Sequence, residues 1–580
     1  MNSLIRMEAE ARLRQALTDV FQVSGDMASS WASLVTYPAD TPMAHVAFPC
    51  HALARHLKLA PQAINESLAE NLRLGQDGRL LREPRAVSGY LNFSVDVDAL
   101  FLCLERPDGK QAEMPATADK VDVEFSQPNT HKALHVGHLR NMIYGDAVCN
   151  LLQAAGTRVV RSTFPGDLGA HVAKCLWFVQ KFKRDEIPDS ADPAWLGLVY
   201  QESDAYMKGL EGKDEEFPAR EEITGVLREL ESRSGDHYAL YLRTREWSLA
   251  HFEAIYEWLG IRFDHWYFES QCDEESRALA LEKYHEGVFR KSQGAIGIDL
   301  SEWDLGFAIF LKSDGTGLYI TKDLALLKRK FTDPDVKASI VVVDSRQKLH
   351  FKQLFKTAEL MGYPQAICSL HLSYEAVTDE KGVAFSSRTQ TGPSLEALRE
   401  IMEQKVIAAY LQSYLGQWSK EEIQDAAGKI VLGALKYGFL KYDSGKIIRF
   451  VIDDWIQMEG NTGPYLQYTY ARCRSLLNKV EAGPAGAARR FTTDLEQDLV
   501  LYLEPFNAAV REAAREYRPS VLCTYLFDLC RNFNRFYKEC PIKTASDPAI
   551  RDSRRALVEV VARTLKEGLG LLGIPCLERL

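Results

Sequence analysis

Histidine, lysine and glycine crowd one short stretch, His131-Lys132-Ala133-Leu134-His135-Val136-Gly137-His138-Leu139-Arg140. These residue types suit the binding of a phosphate. Gly137 lets main chain approach a ligand closely. A helix that starts here offers free N–H groups and the positive end of its dipole to an anion. His135 and His138 stand three apart, at the last loop turn and the helix start, so both rings can donate to one phosphate group. Lys132 adds a mobile full charge. Together they fit a nucleotide attacked at its α-phosphate, where a protein supplies mainly positioning and charge stabilisation. Two other readings stay open on these residues alone. His131, His135 and His138 could ligate zinc, although Lys132 would repel a cation and no acid or cysteine lies close in sequence to complete the set. The histidines could also be structural.

The elements that must hold this stretch are legible on either side. Val121 to Phe125 alternates apolar and acidic residues, a strand pattern. Pro128-Asn129-Thr130 breaks it. Leu139, Met142, Ile143, Ala147, Val148, Leu151 and Leu152 recur at helical spacing, and Gly156 is a stop signal. Thr157 to Thr163 reads as the next strand. Strand, helix, strand predicts a parallel sheet, in which ligands bind at the carboxyl ends of strands. The α/β character returns at 296–300, 308–311, 318–321 and 339–343, all read as strands. A charged, helical stretch from about 178 to 290 reads as an insertion. From Leu395 onward the pattern is helices and short loops. Ahead of the sheet, Leu4 to Phe21 and Pro61 to Leu74 read as helices and Tyr90 to Val95 as a strand, with a Pro- and Gly-bearing linker over 106–120.

Composition bounds the rest. The chain has 580 residues, 46% hydrophobic and 26% charged, as expected of a soluble globular protein. No run of about 18 uncharged apolar residues is present, so no membrane span is expected. Met1 to Arg14 lacks the apolar centre of a secretory signal. The 11 cysteines are scattered, with no C-x-x-C pair. That speaks against a disulfide framework or a cysteine-held metal and for the cytoplasm. Net charge is −10, yet residues 511–566 carry 12 Lys and Arg against 7 Asp and Glu. A basic helical tail on an acidic protein suits a polyanion-binding module, or else a solvated helical face.

Longer motifs carry a family resemblance. Glu124-Phe125-Ser126-Gln127-Pro128-Asn129, then Lys132 and His135-Val136-Gly137-His138-Leu139-Arg140-Asn141, resembles the ATP-binding signature of class I aminoacyl-tRNA synthetases in its arginyl version. Gly166-Asp167-Leu168-Gly169, 313–323, 343–351, 459–468 and 568–574 follow in the order of the arginyl enzymes, and the resemblance runs from about residue 45 to 580. It implies an α/β Rossmann-like catalytic core with a parallel sheet, an α+β N-terminal domain and an all-α C-terminal anticodon-binding domain. The corresponding bounds are 1–105, 120–395 with the insertion, a connecting helical region 396–455, and 456–580.

The resemblance implies ATP, L-arginine and tRNA(Arg) as substrates, Mg2+ accompanying ATP, no tightly bound metal, and a monomer. It places Glu124, Ser126, Asn129, Tyr319, Asp323 and Gln347 around arginine, and His135, Gly137, His138, His350 and Ser387 around ATP. Carboxylates are the natural readers of a planar, permanently charged guanidinium. Tyr319 and Asp323 are expected to face one cleft across a strand-to-helix junction. The family's second signature, Lys-Met-Ser-Lys-Ser, corresponds here to Ala384-Phe385-Ser386-Ser387-Arg388-Thr389, with lysine at neither lysine position. Lys132 is expected to supply the missing charge, with Ser386, Ser387 and Arg388 closing over ATP. For tRNA, the resemblance points to Asn92 in the N-terminal domain and to Tyr468, Arg535 and Tyr537 among the C-terminal helices, where aromatics interleave with Arg. At helical spacing, at least half of those C-terminal aromatics are expected to be core.

Overall fold

The computed structural model describes residues 3–37, 46–74, 80–82, 84–106, 119–385, 392–483 and 489–580. The N-terminal helices Leu4–Phe21 and Pro61–Leu74 form where the apolar spacing puts them. Ile64, Leu68 and Leu72 all point into the core. They pack with an antiparallel sheet of β1 (Val46–Pro49), β2 (Arg85–Val87) and β3 (Tyr90–Phe93), in the order β1-β3-β2.

The central sheet has five strands, all parallel. These are β4 (Lys120–Glu124), β5 (Arg158–Thr163), β6 (His265–Trp266), β10 (Val336–Asp344) and β11 (Leu370–Tyr374), in the order β11-β10-β4-β5-β6. The chain first builds outward from β4 through β5 to β6, then returns to the other side of β4 as β10 and β11. The strand order therefore reverses between β4 and β10, and a ligand crevice is expected outside their carboxyl ends. The stretch expected to bind phosphate leaves the end of β4.

Two expectations need correction. Residues 318–321 are not a strand but the start of the helix Tyr319–Lys330, where the Leu318 N–H donates to Thr321 Oγ1 at 3.1 Å. A short apolar run does not by itself distinguish strand from buried helix. Residues 296–300 and 308–311 are strands, β8 (Ala295–Asp299) and β9 (Phe307–Leu311), but with β7 (Arg290–Ser292) they make a separate antiparallel sheet. The 178–290 stretch is largely helical, as expected, and shares an apolar cluster with the helix Ala170–Phe182 that leads into it, Val172, Leu176, Val199 and Leu230 among it. It nevertheless delivers β6, a two-residue strand whose signal is too short to read.

Past residue 395 the described residues form helices and their connections apart from β13 (Ile448–Arg449), which pairs with β12 (Val377–Thr378). The C-terminal helices include Lys420–Leu440, Gly463–Lys479, Pro519–Glu539 and Pro548–Leu571. The first two cross where Gly433 meets Gly463: a Cβ on Gly463 would lie 2.0 Å from the Gly433 carbonyl oxygen. The 459–468 motif is thus a packing device, with Thr462 capping the second helix and Pro464 in its first turn. One apolar core runs from Leu13 and Phe101 through Val123 and Met142 to Leu526 and Val561, so the first and last parts of the chain share an interior with the sheet.

Candidate active site

The two signature histidines cap their own helix. His135 is the N-cap of Val136–Ala154, and its Nδ1 accepts the Gly137 N–H at 3.1 Å. The His135 N–H in turn donates to Nδ1 of His138 at 3.1 Å. Both Nδ1 atoms are therefore acceptors, so both rings carry their proton on Nε2. Burial pushes the His135 imidazolium down to about 4. Burial, then His135 and Lys132, hold His138 well below the usual histidine range. At neutral pH the pair is two uncharged rings, 4.1 Å apart, each with one Nε2–H donor that the helix cap does not use. Gly137 is required by this arrangement: a Cβ there would lie 2.9 Å from His135 Cε1.

Lys132 belongs to the same cluster, since its charge is felt by His138 and by His171. Its ammonium lies over the ring of Tyr200, 5.1 Å from the centroid, on a helix of the insertion. His131 does not face the ligand crevice as a donor. It is 1% exposed, and its ring nitrogens meet Thr130 Oγ1 at 3.0 Å and Thr244 Oγ1 at 2.9 Å. It is a core histidine, kept neutral by burial at about 3.

The residues expected around arginine gather at the carboxyl end of β4 and on the helix Tyr319–Lys330. Glu124 is buried at the end of β4, opposite Val341 of β10. Glu124 and Asp323 line one small cavity with Lys330, Leu326, Phe351 and Leu354. Tyr319 and Asp323 lie one turn apart on a single helix, rather than across a strand-to-helix junction, and Tyr319 is exposed. Gln347 is exposed in the turn after β10. His350, expected at ATP, donates from Nε2 to Asp323 Oδ2 at 2.6 Å and so joins the Asp323 side. Asn129 bridges to Gly166, whose added Cβ would lie 2.4 Å from Asn129 Oδ1. Ser126 adopts a left-handed φ of 55° and turns its hydroxyl to Tyr256 at 2.8 Å, into the protein. Asp167, in the neighbouring motif, is fully buried and accepts from Arg245 Nε at 2.8 Å and from the Ser270 N–H at 2.9 Å, which fixes the turn.

Sequence reading missed three members of this region. Arg140 lies one turn into the histidine helix and is 2% exposed. It donates to the carbonyls of Glu375 at 2.5 Å and Ser444 at 2.9 Å. It thereby ties the histidine helix to the chain entering β12, and β12 leads to the second signature. Ser386, Ser387, Arg388 and Gln390 lie outside the described residues. Phe385 just before them packs toward Gly137, its Cβ 3.9 Å from where a Gly137 Cβ would be, so the two signatures approach each other. Asp122 and Lys330 are the other two: Lys330 is 3% exposed and pairs with Asp122 at 2.6 Å and Glu124 at 2.7 Å. In the sequence Lys330 closes a basic run, Lys328-Arg329-Lys330, and nothing there marks it as the buried one.

In the segments expected to face tRNA, Tyr470, Phe533 and Phe536 are core residues. Tyr468 and Tyr537 are brought together by Arg472, whose guanidinium lies 4.7 Å and 5.2 Å from their ring centroids. Arg535 and Tyr537 are exposed on the helix Pro519–Glu539. Asn92 sits half-buried in β3, between Ala47 and Arg85.

A parallel sheet with a reversed strand order, two neutral capping histidines and a lysine at the switch point define a class I synthetase core. In keeping with this, a family model described as the catalytic domain of class I (R) tRNA synthetases matches residues 105–451. Models of the arginyl-tRNA synthetase N-terminal domain and the DALR anticodon-binding domain match 7–95 and 466–580. The chain is 42% identical over 554 residues to an arginine–tRNA ligase of Bdellovibrio bacteriovorus, covering 94% of this chain and 93% of that one. It superposes on Thermus thermophilus arginyl-tRNA synthetase with a TM-score of 0.80 at 28% identity, over 99% of this chain and 100% of the other. At 21% identity, the Plasmodium falciparum arginyl-tRNA synthetase shares the fold, with a TM-score of 0.76 and 99% of each chain covered. The chain belongs to the arginyl-tRNA synthetase family.

Proposed function

We propose that this chain joins L-arginine to tRNA(Arg) in two steps at the crevice between β4 and β10. ATP lies on the histidine turn, with Nε2–H of His135 and His138 donating to its phosphates and Gly137 letting the chain approach. The arginine carboxylate attacks the α-phosphate, pyrophosphate leaves, and arginyl-adenylate forms. A hydroxyl of the tRNA's 3′-terminal adenosine then attacks the arginyl carbonyl and AMP leaves. Neutral imidazoles suit this task, because they donate without having to shed a proton as charge moves to pyrophosphate. Lys132 supplies the full positive charge, and Ser386, Ser387 and Arg388 close from the Phe385 side. Mg2+ would arrive on the triphosphate, held mainly by phosphate oxygens and water, and would neutralise part of its charge. Among the described residues no group of three or more His, Cys, Asp or Glu is gathered that could hold an ion.

Glu124 and Asp323 take the guanidinium, with Asn129, Tyr319 and Gln347 around the rest of arginine and His350 orienting Asp323. Tyr468, Arg535 and Tyr537 contact the anticodon end of the tRNA, and Asn92 its outer corner. No described helix is long and apolar enough to cross a membrane. All eleven cysteines are free thiols, which favours a reducing compartment, and we place the protein in the cytoplasm as a monomer.

The observation that carries this reading is that two neutral histidine donors lie at the same switch point as a pocket lined by buried Glu124 and half-buried Asp323. Arginine-dependent pyrophosphate exchange, with and without tRNA, tests it. Exchange that requires arginine is expected; none under either condition would overturn it.

A further inference from the structure

The guanidinium pocket contains a cation of its own. Lys330 is 3% exposed, and its ammonium is shared between Asp122 at 2.6 Å and Glu124 at 2.7 Å, with Ser339 Oγ at 3.1 Å. Asp122 is further held by the Ser162 hydroxyl at 2.9 Å. Among the described residues, Glu124 Oε1 receives only the Gln127 amide, at 3.2 Å. The charged and titratable groups that act on Glu124 are Lys330 and Asp323 from the helix Tyr319–Lys330 and Asp122 from its own strand. Tyr267 also lies within reach of this cluster.

A buried carboxylate with no counter-charge takes up a proton instead of staying ionised. Here two buried carboxylates share one ammonium, so the cluster is short of one positive charge. Burial pushes the Glu124 carboxyl upward while Lys330 pulls it down, which is the balance such a shortfall produces.

We propose that Lys330 is a specificity-determining residue for arginine: it neutralises half of the Asp122–Glu124 pair and leaves a deficit that the substrate guanidinium fills. The proposal rests on Glu124 and Asp323 being the guanidinium readers. A planar guanidinium can approach Glu124 Oε1 and Asp323 together, through different N–H groups. A lysine substrate brings a second compact ammonium, and the Glu124 oxygen best placed for one is already taken by Lys330. The internal lysine thus works against the rival amino acid while holding only one of the two carboxylates charged.

The test uses the full-length enzyme with tRNA. Pyrophosphate exchange is followed with arginine and with lysine between about pH 5.5 and 8.5, a range that brackets a raised carboxyl. Lys330→Met is expected to raise the KM for arginine roughly tenfold or more, the scale of a lost charged hydrogen bond, and to leave the KM for ATP unchanged. Its arginine affinity should recover as pH rises, because Glu124 without Lys330 ionises only at higher pH. Its preference for arginine over lysine should fall, and Lys330→Arg should restore arginine affinity. An equal loss at every pH, with the arginine and ATP constants changing together, would make Lys330 merely structural and overturn the proposal. If Lys330→Met does not fold, calorimetry of arginine binding to the unaltered enzyme in two buffers of different ionisation enthalpy decides. Proton release on binding at acidic pH supports the proposal, and its absence overturns it. Glu124→Gln separates the two levels. If it leaves the arginine KM unchanged, the pocket assignment itself falls. If it weakens arginine while Lys330→Met does not, only the role of Lys330 falls.

Discussion

His138 accepts the backbone N–H of His135 on Nδ1 at 3.1 Å, so the ring proposed to donate to ATP also closes the helix that carries it. Capping and donation use opposite nitrogens, and the two roles can be separated. Asparagine can keep the cap through its side-chain oxygen but has no donor at the Nε2 position. His138→Asn is expected to melt close to the unaltered protein, whereas His138→Ala loses roughly 1 kcal/mol of cap. Both should lower the rate of pyrophosphate exchange by roughly 10²–10³, the scale of one transition-state donor. Equal rates for Asn and His would remove His138 from the chemistry.

In the proposed mechanism Lys132 supplies the permanent charge beside two neutral rings. Lys132→Ala is expected to lower turnover by about 10²–10³, again the scale of one donor, with the KM for arginine nearly unchanged. Single-turnover adenylate formation is the direct measurement. A variant that forms adenylate at the normal rate would show that the second signature needs no such compensation.

Asp323 is held by His350 at 2.6 Å and is the second carboxylate proposed to take the guanidinium. Asp323→Asn removes its charge at constant shape. Arginine affinity should fall by roughly 10- to 100-fold, as for a hydrogen bond to a charged group, while the KM for ATP stays put. Equal weakening of both substrates would instead mean that the crevice had deformed.

Acid stability follows from the buried histidines. His131 and His135 titrate at about 3 and about 4 in the folded chain, against 6.5 for a free histidine. The folded state therefore favours the neutral rings. Below about pH 6.5 the unfolded chain binds protons that the folded one refuses, so stability falls with pH down to about 4 for His135 and about 3 for His131. Melting temperature should drop across this window. His131→Asn should make the decline shallower even if it lowers stability at neutral pH. An unchanged slope would show that carboxylates alone account for the acid transition.

Gly463 meets the Gly433 carbonyl at the crossing of two helices, and a Cβ would lie 2.0 Å from that oxygen. Backbone cannot give way as a side-chain tip can. Gly463→Ala is expected to cost roughly 1–3 kcal/mol, as overpacking does, and thermal melting would register it. A melting point equal to the parent's would mean that the crossing slides freely.

How much of this was legible in advance depended on how local the cause was. The helices Leu4–Phe21 and Pro61–Leu74, strands β4 and β5, and the helix of the signature histidines follow from apolar period and stop signals, which neighbouring residues supply. So does the concentration of His, Lys and Gly after β4, and the motif order that places the chain in its family. The 318–321 run shows the limit. Its apolar residues fit a strand or a helix, and the choice fell to Thr321, which bonds to the carbonyl of Phe310 on another element as well as to the Leu318 N–H.

The sequence alone therefore determined the class of chemistry, the parallel core and most of the candidate ligand-binding residues. Tertiary structure decided what those residues can do. It set which nitrogen of His135 and His138 is left to donate, because that depends on backbone N–H groups positioned by the cap. It moved His350 to Asp323, turned Ser126 inward, and removed His131 into the core. It also gathered Asp122 from β4 and Lys330 from a helix more than two hundred residues later around Glu124. Charge balance in a buried pocket is a sum over groups from separate elements, and no stretch of chain contains that sum.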